Sequence, residues 1–176
     1  MKSRKTGRSF VVHGALAGAL GAASMTVLRM FAHRAGWIEA MVPQAVEVWA
    51  KDKSGLPWPR RPEAHHVADQ LLHLGYGGAA GGAYALLRAI RNDEAKPSVA
   101  FASGLGTALW VFGSFVLFPA LRIARPPWQA KPREELVNLA AHLLYGTVTV
   151  YLLDELESQK QTQPLTHSFM RHAHVG

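Results

Sequence analysis

The sequence predicts an all-α fold: an integral membrane bundle of four transmembrane helices, built from two tandem helix-pair repeats. The first observation is that the apolar residues of this 176-residue chain form four blocks, each about 18 residues or longer. Helices of that length cross the roughly 30 Å hydrocarbon core of a bilayer. The second observation is that short basic segments containing proline separate the blocks. The third is an internal repeat that relates the second block to the fourth.

The four blocks define the domain organisation. The predicted helices cover residues 10–31, 64–90, 98–123 and 136–153 of a transmembrane domain, 1–157. Between the first two helices, residues 32–63 are too long for a turn, and we interpret them as an interfacial segment on the membrane surface. Residues 158–176 are polar and lack an apolar period, so we interpret them as a tail.

The first block has an alternative interpretation as a cleaved signal peptide, with a basic region over 1–9 and an apolar core over 10–23. Its apolar character continues to Phe31, beyond the point where a signal core ends. In addition, Gly14-x-x-x-Gly18 gives a retained helix a face for close packing. We therefore expect the helix to be retained.

The second block is rich in glycine over 75–82. Glycine costs about 1 kcal/mol per residue in a water-exposed helix. In lipid it lets neighbouring backbones approach closely, which favours a membrane bundle over a soluble one.

Composition limits the chemistry. The chain has no cysteine, which excludes disulfides, thiolate metal sites and cysteine nucleophiles. It has 19 Lys and Arg against 12 Asp and Glu, and these charges lie at the ends of the blocks rather than along one stripe. Such a distribution is typical of helix ends at anionic headgroups, so the predicted partner is the lipid bilayer and not nucleic acid.

The internal repeat consists of two matching motifs. P-W-x-x-x-P begins at Pro57 and again at Pro127, ahead of the second and fourth blocks. The motif [D/N]-x-x-x-H-L-x-Y-G begins at Asp69 and again at Asn138. The first and third blocks align loosely, through Gly18 and Gly104, so the predicted unit is a helix pair.

Each of the two repeated helices has one polar stripe. At 100° per residue, four polar residues of each helix fall within a narrow arc. These candidate site residues are His66, Asp69, His73, Tyr76, Glu135, Asn138, His142 and Tyr145. A central charge costs about 2.5–3.5 kcal/mol to insert into lipid, so the two stripes are expected to face each other.

Three interpretations of the stripes remain open. In the first they are structural, with hydrogen bonds from Asp69 to His73 and from Asn138 to His142. In the second they form a path for protons or a small solute. In the third, His73 and His142 are the two axial ligands of a b-type haem. No other cofactor, no metal site and no enzymatic activity is predicted, because no catalytic motif is found.

Several short motifs resemble one bacterial family. They are the small-residue run of the first helix, Phe118-Pro119-x-Leu121 followed by Pro126-Pro127, and His142-Leu143 after a polar residue four positions earlier. Over residues 14–153 the chain resembles the YagU-type inner-membrane proteins. The resemblance implies a multi-pass protein of the bacterial inner membrane with cytoplasmic termini and a link to acid stress. It implies no reaction, and where it leads us to expect an acidic residue this chain has Asn138.

Charge counting alone does not orient the bundle. Nine Lys and Arg residues flank the N-terminal side and ten, Arg29 among them, flank the other. The acid-free basic cluster before the first helix favours cytoplasmic termini.

The acidic residues Asp154, Glu155 and Glu157 end the fourth helix, and we expect Arg8 or Arg88 to contact them. Small-residue faces leave two further roles open, a homo-oligomer or an accessory subunit of a larger membrane complex.

Overall fold

The computed structural model describes residues 7–39, 49, 51–53, 62–91, 96–123 and 126–162, and only the backbone of 7, 62–66, 69 and 160–162. These residues form helices and connections without a strand, which confirms the all-α prediction. The four main helices are α1 (Gly7–Arg34), α2 (Pro62–Ile90), α3 (Val99–Val111) and α4 (Pro132–Thr162). A π-helical segment (Phe112–Leu117) and one α-helical turn (Phe118–Ala120) continue α3, and a 3₁₀ turn (Pro127–Gln129) precedes α4.

Three helical segments are long and apolar enough to cross a membrane. They are Arg8–Arg34, Val99–Ala120 and Pro132–Gln159, which correspond to the first, third and fourth predicted spans. The helix α2 has 29 residues but is not among them. Its glycines and the polar residues of its first half lower its mean hydropathy, although its length is sufficient.

The outer surface of α1 shows what surrounds the bundle. Five large apolar side chains at helical spacing are each more than half exposed: Val12, Leu16, Leu20, Val27 and Phe31. A soluble monomer rarely exposes an apolar stripe of this extent, whereas a membrane-spanning helix presents one to lipid.

The helix α1 is the centre of the packing. It packs against α2 and α4, and α4 also packs against α3. Within the described residues, α2 and α3 do not share an interface comparable to these three. The described helices therefore leave a cleft with α1 and α4 as its floor and α2 and α3 as its walls.

Glycines set the distance between α1 and α2. A Cβ atom on Gly18 would lie under 3.0 Å from the backbone of Gly77 and Gly81, and one on Gly81 would meet the backbone of Gly14 and Gly18. The predicted packing face Gly14-x-x-x-Gly18 thus lies against a second one, Gly77-x-x-x-Gly81. Since no side chain separates the helices, their backbones are in van der Waals contact.

Glycine also forms the other two interfaces. A Cβ atom on Gly21 of α1 would lie 2.5 Å from Thr149 Oγ1 of α4. Between α3 and α4, Gly146 lies against Ala102 and Gly106. The glycine of α3 that meets α4 is therefore Gly106, while Gly104, which we aligned with Gly18, has open space around its Cα.

Helix boundaries differ from the predicted ones at both ends of α4. The helix begins at Pro132 rather than 136, because proline is suited to the first helical position and Glu134 and Glu135 suit the positive end of the helix dipole. It ends at Thr162, so it includes residues 158–162, which we had assigned to the tail. In this last part of the helix, the hydroxyl of Ser158 can donate to the backbone carbonyl of Asp154 at 3.1 Å or of Glu155 at 2.9 Å. Residues 163–176, and most of the predicted interfacial segment, lie outside the described residues.

The third predicted helix, 98–123, is not a continuous α-helix. It starts as expected, because Ser98 Oγ accepts a hydrogen bond from Phe101 N at 3.2 Å. Pro119 has no N–H and its ring clashes with the carbonyl four residues earlier, which widens the preceding turns into the π-helical segment. The helical turn after the π-helical segment ends in a Schellman motif, in which Arg122 has φ 57°, a left-handed conformation that favours glycine.

The chain after α1 is fixed to the start of α4. Gly36, at φ 69°, ends α1 in a Schellman motif. Next to it Ile38 is buried against Ala32 and Val137. On the surface Glu39 pairs with Lys131, and this hydrogen bond raises the pKa of the Lys131 ammonium group.

The opposite end of the bundle is closed by a second pair of contacts. Phe10 and Leu153 are fully buried in one cluster. Close by, His13 Nδ1 of α1 lies 2.6 Å from Glu157 Oε1 of α4. The acidic end of α4 thus has a basic partner in His13 of α1, which we had not considered, and the expected contact with Arg8 or Arg88 stays a prediction.

The glycine contacts predict opposite effects of two alanine substitutions in one helix. Gly81→Ala places a methyl group under 3.0 Å from the α1 backbone and should lower the free energy of unfolding by about 1–3 kcal/mol. Gly75→Ala, with open space around its Cα, should leave stability unchanged or raise it through helix propensity. Thermal unfolding of the detergent-solubilised variants measures both. Equal melting temperatures would contradict the close α1–α2 contact.

Candidate functional site

The cleft contains a cavity of about 320 Å³. Its walls are mostly apolar, from Ala22 and Met25 of α1, Leu72 of α2, and Leu117 and Phe118 of the π-helical region. The remaining lining includes six polar or ionisable side chains: Arg29, His73, Tyr76, Asn138, His142 and Tyr145. A mostly apolar pocket with a few convergent polar groups is the usual form of a small-molecule site.

Five of the eight candidate site residues line this cavity, and they come from both polar stripes. The histidines of the two repeats, His73 and His142, lie in the same cavity. Glu135 does not line it, and its Oε2 instead accepts a hydrogen bond from Trp110 Nε1 at 3.2 Å. The side chains of His66 and Asp69 lie outside the described residues, so the predicted Asp69–His73 bond does too.

His73 of α2 is held by α1. Its Nδ1 lies 3.1 Å from the hydroxyl of Thr26. That hydroxyl can direct its single proton to Ala22 O at 3.2 Å or to Gln70 Oε1 at 3.3 Å. It can therefore accept a hydrogen bond from Nδ1–H of His73, an arrangement that leaves Nε2 without a proton.

His142 of α4 has a partner within its own helix. Its Nδ1 lies 2.8 Å from the backbone carbonyl of Asn138. Since a carbonyl only accepts, Nδ1 carries the proton and Nε2 is again the bare nitrogen. Among the described residues we find no hydrogen bond from either Nε2. Both imidazoles are thus held through Nδ1 by different neighbours. The carbonyl of Asn138 fixes the tautomer of His142, and the Thr26 hydroxyl is compatible with the same tautomer of His73.

The Asn138 side chain does not bond to His142, contrary to the predicted side-chain pair. Its Oδ1 accepts from Arg29 Nη1 at 3.0 Å, and its Nδ2 donates to Ser114 Oγ at 3.1 Å. The serine belongs to the π-helical segment, where it is buried. The prediction failed because the i,i+4 rule considered only one helix, whereas the amide bridges α1 and the π-helical segment.

The two repeated tyrosines differ in environment. Tyr145 is 2% exposed, and its hydroxyl donates to Gly77 O at 2.7 Å, which joins α4 to α2. Tyr76 is 45% exposed and lies at the mouth of the cavity. The two tyrosines are therefore not equivalent: Tyr145 contributes to helix packing, and Tyr76 lies at the opening of the cavity.

Arg29 is the site residue that our sequence analysis missed. We counted it as a charge flanking the first span, yet it is 6% exposed and lines the cavity. Its place on α1 could have identified it. Arg29 follows Gly18 by 11 residues, which at 100° per residue turns it about 20° from the packing face of that glycine.

No group of three or more His, Cys, Asp or Glu residues that could hold a metal ion is found within the described parts of the chain. The cavity provides two histidines, two tyrosines and one arginine. These groups can form hydrogen bonds, and they supply one positive charge and two imidazoles.

No family model, no curated protein and no solved structure matches the chain.

The Arg29–Asn138 contact predicts a non-additive pair of substitutions. Asn138→Ala leaves a buried guanidinium without its acceptor and should cost about 1–3 kcal/mol of unfolding free energy. The double variant Arg29→Met, Asn138→Ala removes the charge as well and should be more stable than Asn138→Ala alone. Denaturant unfolding in detergent compares the single and double variants. Strictly additive losses would refute the coupling.

Proposed function

We propose that this protein is a four-span, multi-pass protein of the bacterial inner membrane that binds a small hydrophobic molecule inside the bundle. The observation that carries the proposal is the convergence of His73, His142 and buried Arg29 on one mostly apolar cavity. Polar groups at this depth are costly in a purely structural bundle. A ligand that uses them accounts for their presence.

The fourth span in this proposal is α2. Its 29 residues extend about 43 Å, more than the hydrocarbon core requires. It lies along α1 through the glycine contacts, and its polar residue His73 lines the interior cavity. Tandem helix pairs are supported by Gly77 and Gly146, equivalent in the repeat, which both lie against small residues of the preceding helix.

Orientation and family are part of the same proposal. With four spans both termini share one side, and the basic cluster before α1 favours the cytoplasm. The motifs shared with the YagU type support the same localisation and a role in acid stress, in which the two histidines exchange protons with the ligand or solvent.

A reporter fused to the C terminus should be active in the cytoplasm. Activity only in the periplasm would refute this topology.

A cavity-filling substitution tests ligand binding. Leu72 lines the cavity, whereas Leu71 beside it is 64% exposed on the outer surface. Leu72→Trp should weaken binding of a neutral fluorescent probe, pyrene-decanol, by about tenfold, because the indole occupies the cavity. Leu71→Trp is the matched control and should bind like the wild type. Equal binding by both variants would show that the probe does not use the cavity.

A second candidate function is binding of haem b between His73 and His142. The observation in its favour is that both rings are held through Nδ1 in one cavity, and no described residue bonds to either Nε2. Metal-ligating histidines generally have this arrangement, because the bond at the other nitrogen fixes the ring and its tautomer. When bound, haem would supply one-electron chemistry, while the two histidines would hold it and Thr26 would orient His73.

The optical spectrum of the detergent-purified protein tests this second candidate. A reducible Soret band that His73→Ala and His142→Ala each abolish would support haem. A protein that stays colourless after incubation with haemin would refute it, and the neutral-probe experiment would still stand.

A further inference from the structure

Arg29 is a buried cation whose hydrogen bonds are incomplete. Its Nη1 donates to Asn138, but no partner for its Nε is found among the described residues, and that atom is shielded from solvent. Leaving a buried donor of a charged group unpaired costs more than leaving a neutral one. The guanidinium is therefore held by one hydrogen bond among the described residues, and its positive charge lines the cavity.

Among the described residues, no carboxylate forms an ion pair with Arg29. Within the described parts of the chain, none of the ion pairs includes it. Glu134 and Glu135 attract it through space, but Glu135 is bound to Trp110 and Glu134 accepts from the backbone N–H of Glu39 at 3.4 Å. The nearest described acidic groups are thus engaged with other donors.

The orientation of the Asn138 amide determines which of its atoms contacts the guanidinium of Arg29. Because its Nδ2 donates to Ser114, its Oδ1 is the atom that meets Arg29. A neutral oxygen holds the guanidinium in place without cancelling its charge. Replacing it with a carboxylate would cancel that charge, so the amide leaves the site attractive to an external anion.

The position of Arg29 suits the head of a lipid-like molecule. It lies five residues, or about 7.5 Å, before Arg34 at the end of α1, close to the boundary between hydrocarbon and headgroups. From there the apolar walls extend towards Leu72 and Tyr76, which are partly exposed between α2 and α3. A charged head at Arg29 therefore leaves an apolar chain in the cavity. A volume of about 320 Å³ is at the lower end of known ligand pockets, which favours one chain over two.

We propose that the cavity binds a single-chain carboxylate lipid, with the carboxylate on Arg29 and the acyl chain between α2 and α3. This inference rests on the proposed function and names the class of its ligand. Arg29 supplies a charge-assisted hydrogen bond, and the apolar walls bind the chain by its fit to the cavity.

Two probes with the same chain separate the two proposals. Pyrene-decanoic acid carries the carboxylate and pyrene-decanol does not, and both are titrated into the purified full-length protein in neutral detergent. Arg29→Met should weaken binding of the acid about tenfold more than it weakens binding of the alcohol, because only the acid uses the charge. Arg29→Lys should retain part of the preference. Arg34→Met, an exposed arginine of the same helix, is the matched control and should bind both probes like the wild type.

The outcomes are distinguishable. If neither probe binds the wild type, the proposed function fails and this inference fails with it. If both probes bind equally and Arg29→Met changes neither, the cavity binds hydrophobic molecules but the carboxylate assignment is wrong. Competition by unlabelled oleate supports a single-chain carboxylate, whereas competition by phosphatidylglycerol without oleate overturns it in favour of a phospholipid phosphate. Binding of the alcohol by Arg29→Met shows that the variant is folded.

Discussion

The backbone contact between α1 and α2 is the constraint on which the rest of the structure depends. Two helices separated only by glycine lie closer together than helices with larger side chains, and short polar groups can then reach across. Thr26 is two turns beyond Gly18, and His73 is one turn before Gly77, so the close approach brings a hydroxyl to the imidazole. Without the glycines, threonine would be too short for this bond.

Several polar groups of the interior are paired across elements, whereas His142 bonds within α4. Asn138 joins α1 to the π-helical segment, and Tyr145 joins α4 to α2. The glycine contacts of α1 with α2 and α4, and of α3 with α4, bring the helices close enough for such bonds, so packing and polar pairing support one another. The consequence is a fixed frame around the cavity, in which Arg29 retains a donor that the frame does not use.

The sequence was sufficient for the helices, because apolar blocks are a local property. The 100° spacing selected five residues that line the cavity, but it also selected Glu135, which bonds to Trp110 instead. It was not sufficient for the π-helical segment, whose width depends on how Pro119 is accommodated, or for the partner of Asn138, which lies on other helices. Arg29 was misjudged because an arginine near the end of an apolar block resembles a flanking charge. Only its position on the same helix face as Gly18 distinguishes Arg29 from a flanking charge. That position identifies it as an interior residue once the packing face of α1 is known.

The lack of a close α2–α3 interface among the described residues determines how a ligand would be supplied. In the proposed four-span arrangement, an opening between α2 and α3 faces the acyl chains of the bilayer rather than the aqueous phase. A molecule that enters there has already left water, so its concentration is its mole fraction among the lipids. Occupancy would then follow membrane composition: the same total amount of ligand would fill the site more completely in a lipid-poor membrane than in a lipid-rich one.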